Sequence, residues 1–278
     1  MNPDDVKLIV CDVDGTVARG GQVVSPELGD IFAALAERGI AATLATGRTA
    51  HYTRGIAEAL GLDGYLICSE GGCVVSMDGR EYLHHPHMDA AAIEAAATCV
   101  AQVAEHVDVG VLSRDSIYAA SEVAWERMRP WGTELTMVGD WRDCPEPLMA
   151  IVSGPRAPIV HLCSLLQDAV PDGVAVIQEQ HDWAPYDQVK VCSRSVDKGV
   201  AAGVLAEHLG LSLANVLSFG DWLNDLGLIR VAGYSIAPRN AAAPVQAAAA
   251  EVSRYTFDEG FVARELAAMF DLDLPWSE

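Results

Sequence analysis

Short apolar runs alternate with helix-patterned segments at both ends of this 278-residue chain, and that alternation limits its possible folds more than any other feature. "VKLIVCDVD" reads as a strand. Ser25 and Pro26 then suit the N-cap and first position of a helix. Leu28, Ile31, Phe32 and Leu35 recur at helical spacing until Gly39 ends the run. "IAATLAT" is the next strand, "RTAHYTRGIAEALG" a second helix and "GYLICS" a third strand. "CVVSMDGREYLHH" reads as a hairpin turning at Asp78-Gly79. Near the other end, "DKGVAAGVLAEHLG" is a helix, "NVLSFGD" a strand, and "AAAPVQAAAAEV" a helix interrupted near its start by Pro244. Strands separated by helices predict a parallel sheet with right-handed crossovers, and so an α/β fold.

The middle of the chain breaks this rhythm. An alanine-rich helix over about 89–106 precedes "VGVLS", "SIYAAS", "ELTMV", "LMAIVS" and "VAVIQEQ", with a second helix near 158–169. This pattern predicts an α+β domain with an antiparallel sheet, residues 84–186, inserted into a discontinuous core made of 1–83 and 187–278. The insert carries 15 Asp and Glu against 5 Arg and no Lys.

Charge narrows the function classes. The net charge is −21 and the only lysines are Lys7, Lys190 and Lys198. So acidic a surface repels phosphate backbones, which argues against nucleic acid as a partner. An anionic substrate would need a local site of metal, Lys, Arg and backbone N–H groups. No apolar run approaches the roughly 20 residues that span a bilayer, so no membrane partner is expected. The short acidic beginning, "MNPDDVK", does not fit a secretory signal. Seven scattered cysteines without a C-x-x-C point to reduced thiols and a cytoplasmic setting. Oligomeric state is not legible.

Four strand or helix ends carry chemistry. "CDVDGT" closes the first strand with two carboxylates, Asp12 and Asp14, at the edge where open α/β sheets bind ligands. Repulsion and desolvation both penalise such a pair, so a use for it is expected. A polar turn is the simpler reading of the motif alone. "LATGR" ends the second strand with Thr46, a hydroxyl donor, and Gly47, whose N–H can approach a phosphoryl oxygen. "VDKG" places Lys198 at a helix N-terminus, against the helix dipole, which calls for a nearby anion or carboxylate. "SFGDWLND" gathers Asp221, Asn224 and Asp225 after another strand, an oxygen-rich set suited to a hard cation.

Taken together and in this order, Asp12-Val13-Asp14-Gly15-Thr16, Thr46, Lys198 and Gly220-Asp221-Trp222-Leu223-Asn224-Asp225 resemble the haloacid dehalogenase (HAD) superfamily pattern. The insert resembles the class IIB cap of Cof-type sugar phosphatases, and so does the stretch "GYSIAPRNAAAPVQAAA". Two positions depart from the pattern: Glu70 stands where Cof-type members usually carry Asn, and Trp222 is bulky.

The resemblance implies a Rossmann-like core with an inserted specificity cap. It implies a Mg2+-dependent phosphatase acting on a small phosphorylated metabolite such as a sugar phosphate. Asp12 would be the nucleophile that forms an aspartyl-phosphate, and Asp14 the general acid and then base. The Asp12 carboxylate, the Asp14 carbonyl, Asp221 and waters would hold Mg2+, with Asp225 linked through water or from the next layer. Thr46, Gly47 and Lys198 would hold phosphoryl oxygens. Asn224 would orient that shell or Lys198, Arg48 would steady the loop, and both count with Gly47 as candidate substrate-binding residues. Arg114, Arg127 and Arg129 are candidate substrate contacts in the cap, and "HHPH" reads as a linker. A phosphomutase on the same fold is the alternative, and a non-catalytic ligand-binding relative is disfavoured by the intact acid pair, lysine and acid cluster.

Overall fold

The computed structural model describes residues 2–114, 116–129, 135–179 and 185–273. The chain divides into two units, one made of 1–84 and 197–278, the other of 85–196.

The discontinuous unit is built on a five-stranded parallel sheet in the order Glu251–Val252, Tyr234–Ala237, Val216–Phe219, Leu8–Cys11, Ala41–Leu44. Strand Leu8–Cys11 is entirely buried, because the sheet is covered on both faces. Side chains alternate between those faces. Ile9 and Cys11 join Leu44, Leu217 and Phe219 in a core with helices Leu28–Glu37 and Phe261–Phe270. Leu8 and Val10 join Ala201, Ala202 and Leu205 of helix Lys198–His208 on the opposite side. Each of the buried Leu, Ile, Val and Phe side chains among these contributes roughly 1.5–3 kcal/mol. Strand Tyr65–Cys68 continues the sheet through a parallel bridge between Ile67 and Ala45, then folds back onto Cys73–Ser76 and Tyr82–His84 as an antiparallel hairpin. Gly79 in that hairpin turn has a positive φ of 74°.

The second unit has a six-stranded sheet in the order Leu135–Met137, Ile117–Ala119, Asp108–Leu112, Met149–Gly154, Asp187–Ser193, Val174–Glu179. Its pairings are antiparallel except the first, which is parallel. Helices Ala90–Ala101 and Arg156–Ala169 pack on one face through Ala92, Ala96, Cys99, Ile159, Leu162 and Leu166.

Several expectations shift. The second junction lies at Val196/Asp197, not at 187, because Asp187–Ser193 is a near-central strand of the second sheet. The first helix starts at Leu28, after a turn in which the Leu28 N–H donates to the Ser25 carbonyl. The segment around Pro244 splits into helix Ala243–Ala248 and edge strand Glu251–Val252. The insert's first helix stops at Ala101 and gives way to a 3-10 turn, Ala104–His106. Helix Glu122–Met128 had no counterpart in the sequence reading. Glu134 and Gln180, which fall in predicted strands, lie outside the described residues.

Candidate active site

Parallel strands share one direction, so their carboxyl ends line one edge of the sheet. The register pairs Cys11 with Leu44 on one side and with Phe219 on the other, which brings the residues following all three to the same level. Asp12 and Asp14 follow the first, Thr46 and Gly47 the second, and Asp221 to Asp225 the third. Helix Lys198–His208 adds its first residue. Its N-terminus is capped by Asp197, whose side chain accepts from the N–H groups of Gly199 and Val200. That cap supplies the negative charge the helix dipole favours.

Lys198 is completely buried and bridges two carboxylates. Its Nζ donates to Asp12 Oδ1 at 2.6 Å and to Asp225 Oδ1 at 2.7 Å. The other oxygen of Asp225 accepts from the N–H groups of Asp221, at 2.9 Å, and Trp222, at 3.0 Å. Asp225 is thus fixed by three donors, and it in turn fixes Lys198. Asp221 Oδ1 accepts from the Thr16 hydroxyl at 3.1 Å. Gly15 has φ +90°, and a Cβ there would collide with the Asp221 carboxylate, so the turn after Asp14 requires glycine.

The electrostatics follow from burial and crowding. The Asp12 carboxyl is pushed well above the ordinary carboxylate range, by burial first and by the Asp225 charge next, with Lys198 pulling the other way. Asp221 is raised to about 7, again by burial and then by Asp225, against the Thr16 hydrogen bond and Lys198. For Lys198, burial alone would favour the neutral amine. Asp12, Asp225 and Glu70 outweigh it and hold the ammonium form.

Asp12, Asp221 and Asp225 offer ligand oxygens all within 4.8 Å of one another, and among the described residues no other group of three His, Cys, Asp or Glu side chains does so. Hard oxygen donors in this number suit a divalent cation. Burial and the neighbouring Asp225 charge both push the Asp221 carboxyl up, and a bound divalent cation would offset the second of these. The donor set therefore fits a metal.

The remaining groups form a second cluster. Arg48 grips Asp14 with two hydrogen bonds, Nε to Oδ2 at 2.5 Å and Nη2 to Oδ1 at 2.7 Å. The guanidinium also lies over the Tyr52 ring, 4.1 Å from its centroid. Thr46 is buried, and its hydroxyl oxygen accepts from the Arg48 N–H at 3.2 Å. Its carbonyl accepts from the Glu70 N–H at 3.0 Å. Glu70 then reaches Asn224, accepting from Nδ2 at 2.8 Å.

The family pattern described as haloacid dehalogenase-like hydrolase matches residues 9–266, nearly the whole chain. The chain belongs to the haloacid dehalogenase-like hydrolases. This HAD hydrolase is 28% identical over 235 residues to a phosphoglycolate phosphatase from Methanopyrus kandleri, with 84% of each chain covered. Its fold is similar to that of a haloacid dehalogenase-like hydrolase from Bacteroides thetaiotaomicron, at TM-score 0.80 and 22% identity over 95% of this chain and 100% of that one. It is similar also to the HAD subclass IIB sugar phosphatase BT4131, at TM-score 0.75 and 17% identity over 96% and 100%.

The HAD hydrolase fold brings Asp12, Lys198, Asp221 and Asp225 together and sets Thr46 and Gly47 on the neighbouring strand end. The Asp14 carboxylate stands outside the three-acid group and is held by Arg48 instead. Asn224 meets Glu70. In the second unit, Arg127 is an internal brace: it donates to Asp108 at 3.1 Å and to the Ser153 carbonyl at 2.9 Å, and stacks on Tyr186. Arg114 lies 3.9 Å from Glu146, and Arg129 pairs with Glu126 on the surface. His85 and His87 are ring neighbours with centroids 6.2 Å apart, and "HHPH" contributes to no three-residue metal group among the described residues. Thr16, Asp197 and Glu70 belong to the site's structure without having been assigned roles in it. Glu70 carried a usable signal, since it follows a strand end as Asp12 and Thr46 do.

Proposed function

We propose that this HAD hydrolase is a Mg2+-dependent phosphatase that hydrolyses a small phosphomonoester through an aspartyl-phosphate on Asp12. The observation that carries the reading is the buried Asp12–Lys198–Asp225 bridge with Asp221 beside it. An acid pair this costly to bury makes sense where an anion must be attacked by an anion. Asp12, Asp221 and the Asp14 carbonyl would hold the cation, with Asp225 behind them. When bound, it neutralises charge on the transferring phosphoryl group.

Asp12 attacks phosphorus, and the bond to the leaving oxygen breaks. Asp14 gives that oxygen a proton, then takes one from the water that hydrolyses the phosphoenzyme. Arg48, which donates two hydrogen bonds to the Asp14 carboxylate, would hold it in position between these steps. Lys198, the Thr46 hydroxyl and the Gly47 N–H stabilise the phosphoryl oxygens, a contribution typically of about 3 kcal/mol per group. The inserted unit acts as the cap that selects the leaving group, as the subclass IIB resemblance suggests. The seven buried cysteines are small core residues suited to a reducing cytoplasm.

The test is hydrolysis of p-nitrophenyl phosphate by wild type and Asp12→Asn, with Mg2+ and with EDTA. Asn keeps an acceptor for Lys198 but is a poor nucleophile, so turnover should fall by about 10^4 or more in a folded protein. Full activity in EDTA, or in a verified Asp12→Asn preparation, would sink the proposal.

A further inference from the structure

Glu70 places a carboxylate where a phosphate-handling site is least expected to have one. Its backbone adopts φ +60°, following Ser69 at φ +53°, so the loop holds two non-glycine residues in the left-handed region. Such positions persist only where the surroundings impose them. Here three contacts do: the N–H of Glu70 to the Thr46 carbonyl, its side chain to Asn224, and its carboxylate laid against Gly47. A Cβ on Gly47 would lie 2.7 Å from Glu70 Oε1. The same charge is felt by Lys198.

We infer that Glu70 makes the site select phosphoesters of uncharged, hydroxyl-bearing alcohols against those carrying a carboxylate beside the ester. The inference rests on the phosphatase reading, in which Thr46 and Gly47 cradle the phosphoryl group. Glu70 then borders the substrate at the phosphate. A carboxylate oxygen accepts more than one hydrogen bond, so the bond from Asn224 does not exhaust it, and a substrate hydroxyl can donate to it. A substrate carboxylate cannot donate and is repelled. Of the two cations of the core site, Lys198 is shared by Asp12, Asp225 and, in the phosphatase reading, the phosphoryl group, and Arg48 is held by Asp14, so neither is left to pair a second substrate anion. The substrate named for the Methanopyrus relative has such a carboxylate, so the inference separates the two proteins.

A matched substrate pair tests this: 2-phosphoglycolate and 2-hydroxyethyl phosphate, which differ in a carboxylate against a hydroxymethyl group. Wild type should favour the hydroxyethyl ester in kcat/KM. Glu70→Gln, which keeps an acceptor for Asn224, should narrow that preference about tenfold. In wild type, added KCl should also narrow it, since screening weakens like-charge repulsion. A wild-type preference for phosphoglycolate would overturn the inference, as would a ratio unmoved by both Glu70→Gln and salt. The salt series serves alone if the variant does not fold. If neither ester nor p-nitrophenyl phosphate is turned over with any divalent cation, the phosphatase reading itself fails and takes the inference with it.

Discussion

Lys198 is the residue on which the site's charges balance. It faces Asp12 and Asp225 with no exposure to solvent. Lys198→Met would leave two carboxylates buried against each other, a loss expected at about 3–5 kcal/mol, measured by denaturant unfolding of the metal-free protein. Mg2+ should recover part of that loss, because it supplies the missing positive charge. Asp221 gives a pH signature. Its folded value of about 7 lies above the ordinary 3.8, so the native state holds the extra proton between those values. The associated stability is present in full below about pH 4 and lost as pH rises through 7. Metal-free wild type should therefore lose roughly 2–3 kcal/mol of this contribution between pH 5 and 8, and Asp221→Asn should flatten that part of the profile. The acids and the lysine could be read from sequence because each follows a strand end or starts a helix. Their pairing could not, since it joins residues 186 positions apart. Arg48 shows the limit of local reading: next to Thr46-Gly47 it looked like a loop support or substrate contact, yet its two strongest bonds go to Asp14.

At the scale of elements, the loop from Ser69 to Gly72 connects the site to the sheet. Gly71 has φ +86°, and a Cβ there would overlap the Asp197 backbone, immediately before Lys198. Gly71→Ala should cost roughly 2 kcal/mol or more and should lower turnover with it, because the backbone that must yield is the one carrying the lysine. Parallel thermal melts and p-nitrophenyl phosphate assays would check both effects, and a variant as stable and as active as wild type would contradict the packing argument. Longer elements were legible because their periods are strong: four apolar residues in a row for Leu8–Cys11, helical spacing for Leu28–Glu37. Glu251–Val252 is two residues long and both are exposed, so no pattern marks it as a strand. Asp187–Ser193 falls on the core side of the boundary expected at 187. Its partners in the second sheet, Met149–Gly154 and Val174–Glu179, decide its membership.

Over the whole molecule, charge is the main unbalanced quantity. At −21 the folded chain repels itself, and screening should relieve this. The midpoint of thermal unfolding at pH 7 should rise between about 0.02 M and 0.5 M NaCl, as the Debye length shrinks several-fold. A flat or falling midpoint would mean that local ion pairs, such as Arg48–Asp14 and Lys190–Glu179, outweigh the net charge. The interrupted course of the chain has a consequence for the protein's birth. When residues 1–84 leave the ribosome, Leu8–Cys11 can pair with Ala41–Leu44, but its other edge waits for Val216–Phe219. The whole second unit is translated in the interval. The nascent chain thus carries an open apolar strand edge with Asp12 beside it for more than a hundred residues of synthesis, and the lysine that neutralises that acid arrives only after the insert. Translation pausing or truncation within 85–196 should therefore yield chains that bind chaperones and hydrolyse nothing, whereas a complete chain closes its sheet and its charge balance in one late event.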